Sequence, residues 1–422
     1  MPSAKESRTS QITEKRLEVL PLNAPERPGV ISLLVWVGCA YLLILPVADV
    51  LIRLDWPAGA ELSWVRGRFT AVNALTLTGF SGGMPLAKYP AIARGTIFVL
   101  TVLGAMFPMI LGGMAVARIL RMPYSDRQIA LSAVILFFVL IAAGCIPLIA
   151  SGYGVSNSFM LSASALANSG LHFGPVPGAL NWQTHLVLLP LAVLGGLGSP
   201  VLIELIGLVR MKGGLSNYSK TVLAATAWVF LALFGLMLMV HFVETESMTG
   251  KWLKVFASSS AAAIDSRTAG LAIEGAQPSD LPRSGQWLLL PAMMIGAWAA
   301  GTAGGIKINT FIGLGRGIGQ GLRGGSVGRP VALAAVWMGV YLGLVMLFFL
   351  MMLWAEPEMA GDRLLFLTVS ALSNVGLSHD PVTMGGAGLD VLSAAMLLGR
   401  LTPMGMLWWM AMSTREAEMP MG

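Results

Sequence analysis

Long apolar runs separated by short polar connections dominate the chain, and they predict helices over approximately 33–52, 95–117, 128–150, 184–206, 221–243, 286–306, 331–354 and 390–412. Gly95–Ala117, Thr221–Val240, Ser284–Ile306 and Pro330–Ala355 contain no Asp, Glu, Lys or Arg. Each reaches the roughly 20 residues that an α-helix needs to cross hydrocarbon. Between alternate pairs of these runs lies a shorter stretch of small and apolar residues: Phe69–Thr76, Asn157–Ala167, Val255–Ile264 and Leu364–Ser373. These are compatible with helix but too short to span.

Each short stretch runs into a glycine. The segments read NALTLTGFSGG (73–83), SASALANSGLHFG (162–174), AAIDSRTAGLA (262–272) and SALSNVGLSHD (370–380). Their central glycines, Gly79, Gly170, Gly270 and Gly376, are 91, 100 and 106 residues apart. A near-constant period of helix, short helix, glycine turn and helix predicts four copies of one module. Four ordinary solvated loops would carry more charge and proline than these stretches do.

Composition sets the solvent. The chain of 422 residues is 55% hydrophobic and 11% charged, which suits a bilayer rather than water. The net charge of +6 is not a nucleic-acid signature, because no basic stripe is interleaved with aromatics. Basic residues instead collect in alternate connections: Arg118, Arg121 and Arg127; Arg210, Lys212 and Lys220; Arg316, Arg323 and Arg329. The N-terminal tail adds Lys5, Arg8, Lys15, Arg16 and Arg27, and the C-terminal tail Arg415. The positive-inside rule makes these connections and both tails cytoplasmic. No cleavable signal pattern precedes the first span, about Leu33–Ile52, which is expected to remain as an anchor. Cys39 and Cys145 lie in apolar runs and read as inert buried thiols.

A short half-helix followed by extended backbone at membrane depth is a re-entrant loop, tolerated only where it is packed in protein or lines a wet path. Glycine lets successive carbonyls turn toward one axis and replace an ion's hydration shell. The C-terminal ends of the half-helices add partial negative charge, so a site of this kind takes a cation.

On these segments the chain resembles the Trk/Ktr/HKT superfamily of cation-translocating membrane subunits, from about residue 33 to 412. TLTGF (76–80), SALANSGL (164–171), SRTAGL (266–271) and SALSNVGLS (370–378) are similar to its four filter motifs, in order. LGGLGSPVL (194–202) and LGRLTPM (398–404) are similar to its helix motifs. The resemblance implies an all-α membrane fold of four M1–pore loop–M2 repeats around a pseudo-fourfold pore, with eight transmembrane helices and four pore half-helices. It divides the chain into an N-terminal tail (1–30), repeats at 31–120, 121–212, 213–325 and 326–414, and a C-terminal tail (415–422). It implies a selectivity filter of Leu77, Thr78, Gly79, Asn168, Ser169, Gly170, Thr268, Ala269, Gly270, Asn374, Val375 and Gly376, with potassium (K+) held at their carbonyls. It also implies a homodimer in the membrane lipid and a cytosolic nucleotide-binding regulatory subunit. In this family four filter glycines accompany potassium, and a serine in the first position accompanies sodium.

The stretch GTAGGIKINT (301–310) matches the family's break in the second helix of the third repeat. The resemblance makes Gly301, Thr302, Gly304, Gly305 and Lys307 an intramembrane gate. Each glycine lowers helix propensity by about 1 kcal/mol relative to alanine, in keeping with a break. A nucleotide-binding loop is excluded by spacing, since Ile306 separates Gly305 from Lys307. The match to a dinucleotide fingerprint at Gly319–Gly324 follows a membrane helix rather than a strand. Lys307 has two readings that can coexist: a side chain snorkelling to the cytoplasmic interface, or an ammonium near the conduction path.

Arg400 lies midway along the last helix, where an arginine against lipid is costly. It is expected to face the pore as an electrostatic barrier below the filter. Asp265 departs from the family, which carries Ser or Thr there. It is expected either to pair with Arg267 or to concentrate cations at the mouth, with Arg267 bracing the filter from behind. His172, His185, His241 and His379 are scattered, and no metal-ligand spacing or catalytic set is present. Potassium uptake is therefore the expected function, with no cofactor in the chain. Sodium or mixed cation passage is the alternative within the class. A lipid-acting membrane enzyme lacks clustered catalytic residues, and a non-conducting sensor does not explain four glycines.

Overall fold

The apolar runs become helices whose outward faces stay apolar. In the computed structural model, residues 30–57, 61–210, 214–244, 251–325 and 328–416 are described. The N-terminal tail and residues 417–422 lie outside them, as does Lys212. Regular structure among the described residues is helical, apart from isolated bridges joining Gly82 to Val382 and Ile295 to Ile306.

Four helices enter from the basic or N-terminal side: α1 (Val30–Ile52), α5 (Asp126–Ala150), α9 (Asn217–Glu244) and α13 (Arg329–Ala355). Each is followed by a short helix: α2 (Trp64–Leu75), α6 (Val155–Ala167), α10 (Trp252–Ile264) and α14 (Gly361–Leu372). Return helices follow: α3 and α4 (Ala91–Phe107 and Gly113–Ile119), α7 and α8 (Leu189–Leu197 and Ser199–Val209), α11 (Arg283–Met294) and α15 (Gly386–Glu416). An additional helix, α12 (Ile308–Leu322), precedes α13.

Burial sorts these helices into rings. Half of the apolar stretch of α3–α4 and of α15 is buried, against 17% for α9 and 22% for α13. The short helices are buried deepest, from Phe69 to Leu75 in α2 and from Leu364 to Leu372 in α14 almost without interruption. Outer residues such as Trp228, Leu231, Leu347 and Leu350 remain exposed although large and apolar. Those faces match lipid, in which such surface costs nothing. Among the described residues, five helices are long and apolar enough to span, and a sixth span is added if the bent pair at Gly198 is one.

Local chemistry explains the ends and breaks. Ser125 caps α5 through a reciprocal capping box with Gln128. Pro108 lacks an N–H, and a π turn (Pro108–Gly112) joins α3 to α4 there. Two sequence expectations are corrected. The predicted helix 184–206 is broken by 113° at Gly198, whose φ is +87°. The predicted helix 286–306 ends at Met294, and 295–307 is irregular before α12. Both breaks lie against each other: a Cβ on Gly198 would strike the backbone of Ala300. A third correction concerns Cys39, which is exposed, whereas Cys145 is buried.

Candidate functional site

Each short helix ends by closing its last turn over five residues instead of four. In the first, second and fourth repeats the residue before the glycine donates its N–H five residues back: Thr78 to Asn73 O, Ser169 to Ser164 O and Val375 to Ser370 O, at 2.9–3.0 Å. In the same three repeats, left-handed backbone alternates with ordinary backbone. Leu77 has φ +61° and Gly79 +84°; Asn168 +55° and Gly170 +70°; Asn374 +49° and Gly376 +83°. Such an alternation gives neighbouring carbonyls a common direction, which a β-strand does not. A left-handed non-glycine residue costs about 1–2 kcal/mol, so this backbone is held by its surroundings.

The third repeat differs by one residue. A π turn (Asp265–Ala269) intervenes, and Gly270 itself donates to Asp265 O at 3.1 Å. Gly270 keeps a left-handed φ of +55°. Of Thr268 and Ala269 only the backbone is among the described features.

The glycines are required by close approach around a ring. A Cβ on Gly79 would meet the Ser169 carbonyl, one on Gly376 the Thr78 carbonyl, and one on Gly270 the Val375 carbonyl. Repeats three, four, one and two therefore follow each other around an axis. Above them opens a vestibule of about 590 Å³ that reaches Gly79, Gly170, Gly376 and Ala272. Glu274 and Asp380 line it, and no Lys or Arg does. His172 and His379 sit there with their pKa values below the ordinary histidine range, chiefly because burial disfavours the charged form. Asp380 is paired with Arg363, so the mouth presents the Glu274 carboxylate and neutral imidazole at neutral pH, an arrangement that favours cations.

Polar side chains hold the turns from behind. Asn73 brackets Phe80, accepting its N–H and donating to its carbonyl, both at 2.9 Å. In the third repeat Asp265 occupies the corresponding place, its Oδ1 accepting the Leu271 N–H at 2.7 Å. Asp265 is fully buried and does not line the vestibule. Neither sequence expectation for it holds, because Arg267 points elsewhere. The Arg267 guanidinium donates to Gly296 O at 3.2 Å and Ile295 O at 3.4 Å, where the irregular segment begins. The physical reason is the π turn, which aims the carboxylate at the Leu271 backbone and the guanidinium away from it.

Residues 295–307 form a loop pinned at its neck. Gly296 N donates to Ile306 O and Ile306 N to Met294 O, both at 2.9 Å. From this neck the apex inserts beneath the glycine ring, and Ala297–Ile306 is buried throughout. It touches the other three repeats. Thr302 N donates to Gly195 O of α7 at 3.1 Å, and Ala300 lies against Gly112 and Gly198. Gly301 is packed on the Gly196 carbonyl and Gly304 on the Ser373 carbonyl, leaving no room for a side chain at either. Gly305 turns back with φ +67°.

Arg400 holds the same apex. Nη1 donates to Thr302 O at 2.6 Å and Nη2 to Gly104 O of α3 at 3.1 Å. The side chain is 3% exposed. Its guanidinium is thus engaged by two carbonyls, one at the loop apex and one on α3. Lys307 folds back to donate to Ala303 O at 2.6 Å and borders a mainly apolar cavity of about 280 Å³ with Tyr218, Trp337 and Met406. No cluster of three or more metal-ligating side chains occurs among the described residues.

Sequence reasoning missed Asn73, Gly104 and Gly195–Gly198. Asn73 carried a signal, standing six residues before its glycine much as Asp265 stands five before Gly270. Gly195–Gly198 fell within the motif LGGLGSPVL without any sign of a break, and Gly104 gave no signal, because their partners are far away along the chain.

No family model matches the chain. It is 24% identical over 417 residues to the Ktr system potassium uptake protein B of Bacillus subtilis (strain 168), covering 86% of this chain and 89% of that protein. Its fold is similar to the crystal structure of the potassium transporter TrkH from Vibrio parahaemolyticus, with a TM-score of 0.74 and 16% identity, over 95% of this chain and 86% of that one. These relatives are transport proteins, which sets aside the membrane-enzyme alternative. In sequence the chain is similar to a Ktr potassium uptake protein and in fold to a TrkH potassium transporter, and both similarities support the resemblance to the Trk/Ktr superfamily.

Proposed function

We propose that the chain takes up potassium across the cell membrane, through a filter lined by the carbonyls of 77–79, 168–170, 268–270 and 374–376. The observation that carries this reading is the repeated left-handed alternation ending at Gly79, Gly170 and Gly376, closed by Gly270 into a ring under an acidic vestibule. A ring of fixed carbonyl dipoles replaces the hydration shell of a monovalent cation, and no resident cofactor is needed. The names of the two relatives supply the ion.

Within this reading the loop around Gly301–Lys307 is the gate. It lies under the ring, is contacted by every other repeat, and is locked by Arg400. The four modules are the pore repeats at 31–120, 121–212, 213–325 and 326–414. A homodimer and a cytosolic nucleotide-binding regulatory subunit, docking on the basic inner connections, complete the assembly.

One observation favours a second reading, passage of sodium or mixed monovalent cations. The third repeat reaches its glycine through a π turn, so one side of the ring is built differently from the other three. Purified protein in potassium-loaded vesicles distinguishes the two. Potassium flux well above sodium flux is expected. Equal fluxes select the mixed-cation reading, and the absence of either flux rejects conduction by this chain alone.

A further inference from the structure

We propose that Thr302 is a positioning residue for the filter as well as part of the gate: its hydroxyl completes the hydrogen-bond set of the second repeat, so the loop cannot withdraw without releasing Asn168. This inference rests on the filter and gate readings above.

The argument starts from a symmetry and its exception. In the fourth repeat, Asn374 Nδ2 donates to Met396 O of its own return helix at 2.9 Å. It also donates to Thr78 Oγ1 in the filter turn of the next repeat, at 3.0 Å. Asn168 occupies the same place in the second repeat, two residues before its glycine and with the same left-handed backbone. Its Nδ2 donates to Ala192 O of its own return helix at 3.1 Å. Symmetry then calls for a hydroxyl from the third repeat at the position of Thr78. In the sequence the residue before the third glycine is Ala269, which carries none.

The loop supplies the missing group. Asn168 Nδ2 donates to Thr302 Oγ1 at 2.7 Å, and the same hydroxyl donates onward to Leu166 O at 3.1 Å. Both side chains are fully buried. A buried amide donor left without a partner is disfavoured. Asn168 is therefore held in its strained backbone while Thr302 is in place, and loses one of its two anchors when the loop leaves. Seated and withdrawn loops present two different filters. Coupling of this kind is reciprocal: whatever biases the filter turn of the second repeat biases the gate equally.

The test uses full-length protein in vesicles and reads the ratio of potassium to sodium flux. A wild-type ratio near one overturns the filter reading itself, whereas a discriminating wild type isolates the present question. Thr302→Val keeps the shape of the side chain and removes the hydroxyl. It is expected to lower the ratio by about three- to tenfold, the scale of one buried hydrogen bond. Thr302→Ser restores discrimination relative to valine. Adding Ala269→Thr to Thr302→Val, which puts a hydroxyl on the residue before the third glycine, is expected to recover the ratio while flux stays raised. A valine variant that leaks but discriminates like wild type overturns the proposal, as does a double variant with no recovery. Should the valine variant fail to fold, Ala269→Thr alone carries the test. By offering Asn168 a second hydroxyl it raises basal flux, and unchanged flux overturns the proposal.

Discussion

At Gly79 a side chain would have to occupy the space of the Ser169 carbonyl, on a backbone with φ +84°. The left-handed strain alone is about 1–2 kcal/mol, close to a tenfold change in an equilibrium. Gly79→Ser is therefore expected to lower potassium-over-sodium discrimination by roughly tenfold at similar membrane expression. An unchanged flux ratio in vesicles removes Gly79 from the filter. Asp265 offers a second residue-scale test. Its carboxylate accepts the buried Leu271 N–H, and an unpaired buried donor costs about 1–3 kcal/mol. Asp265→Ala is expected to lower the unfolding midpoint in detergent, and Asp265→Asn, which keeps the accepting oxygen, to lower it less. Equal losses would assign the effect to the charge and not to the hydrogen bond.

At the scale of elements, the irregular segment 295–307 is stable because other elements complete its hydrogen bonds. Arg400 is the main clamp, joining Thr302 O to Gly104 O. Hydrogen bonds from a charged donor are worth about 1.5–3 kcal/mol each. Arg400→Ala is thus expected to raise basal potassium flux by about tenfold or more, since the loop loses both. Arg400→Lys separates the clamp from a purely electrostatic barrier. An ammonium keeps the charge but cannot span both carbonyls as the planar guanidinium does. Lysine flux between wild type and alanine supports the clamp, and lysine flux equal to wild type supports the barrier.

For the whole molecule, the ring of exposed apolar helices and the basic connections together set the orientation in the bilayer. By the positive-inside rule the vestibule that holds Glu274 is expected to face outward, and α12, which carries exposed Arg316, to face the cytoplasm. In a background where exposed Cys39 is replaced by serine, Glu274→Cys is expected to react with a membrane-impermeant thiol reagent from outside. Arg316→Cys should react only after the inner face is opened. Reversed labelling would invert the topology and place the loop on the outer side of the glycine ring.

The sequence by itself determined the solvent, the fourfold period and the glycine at each turn. These follow from the hydropathy of long runs and from local backbone sterics, which a linear pattern carries directly. It also marked 301–310 as a break, since three glycines and a lysine do not continue a membrane helix. It did not locate the breaks at Gly198 and Met294, because each is stabilised by the other across about a hundred residues of chain. The partners of Asp265, Arg267 and Arg400 were likewise undetermined. Opposite charges near each other in sequence suggested pairing, yet the π turn and the inserted loop offered backbone groups that burial left in need of partners. Only the tertiary structure decided that the Thr302 hydroxyl meets Asn168 and the Leu166 carbonyl, because those groups come together only once the loop is seated beneath the ring.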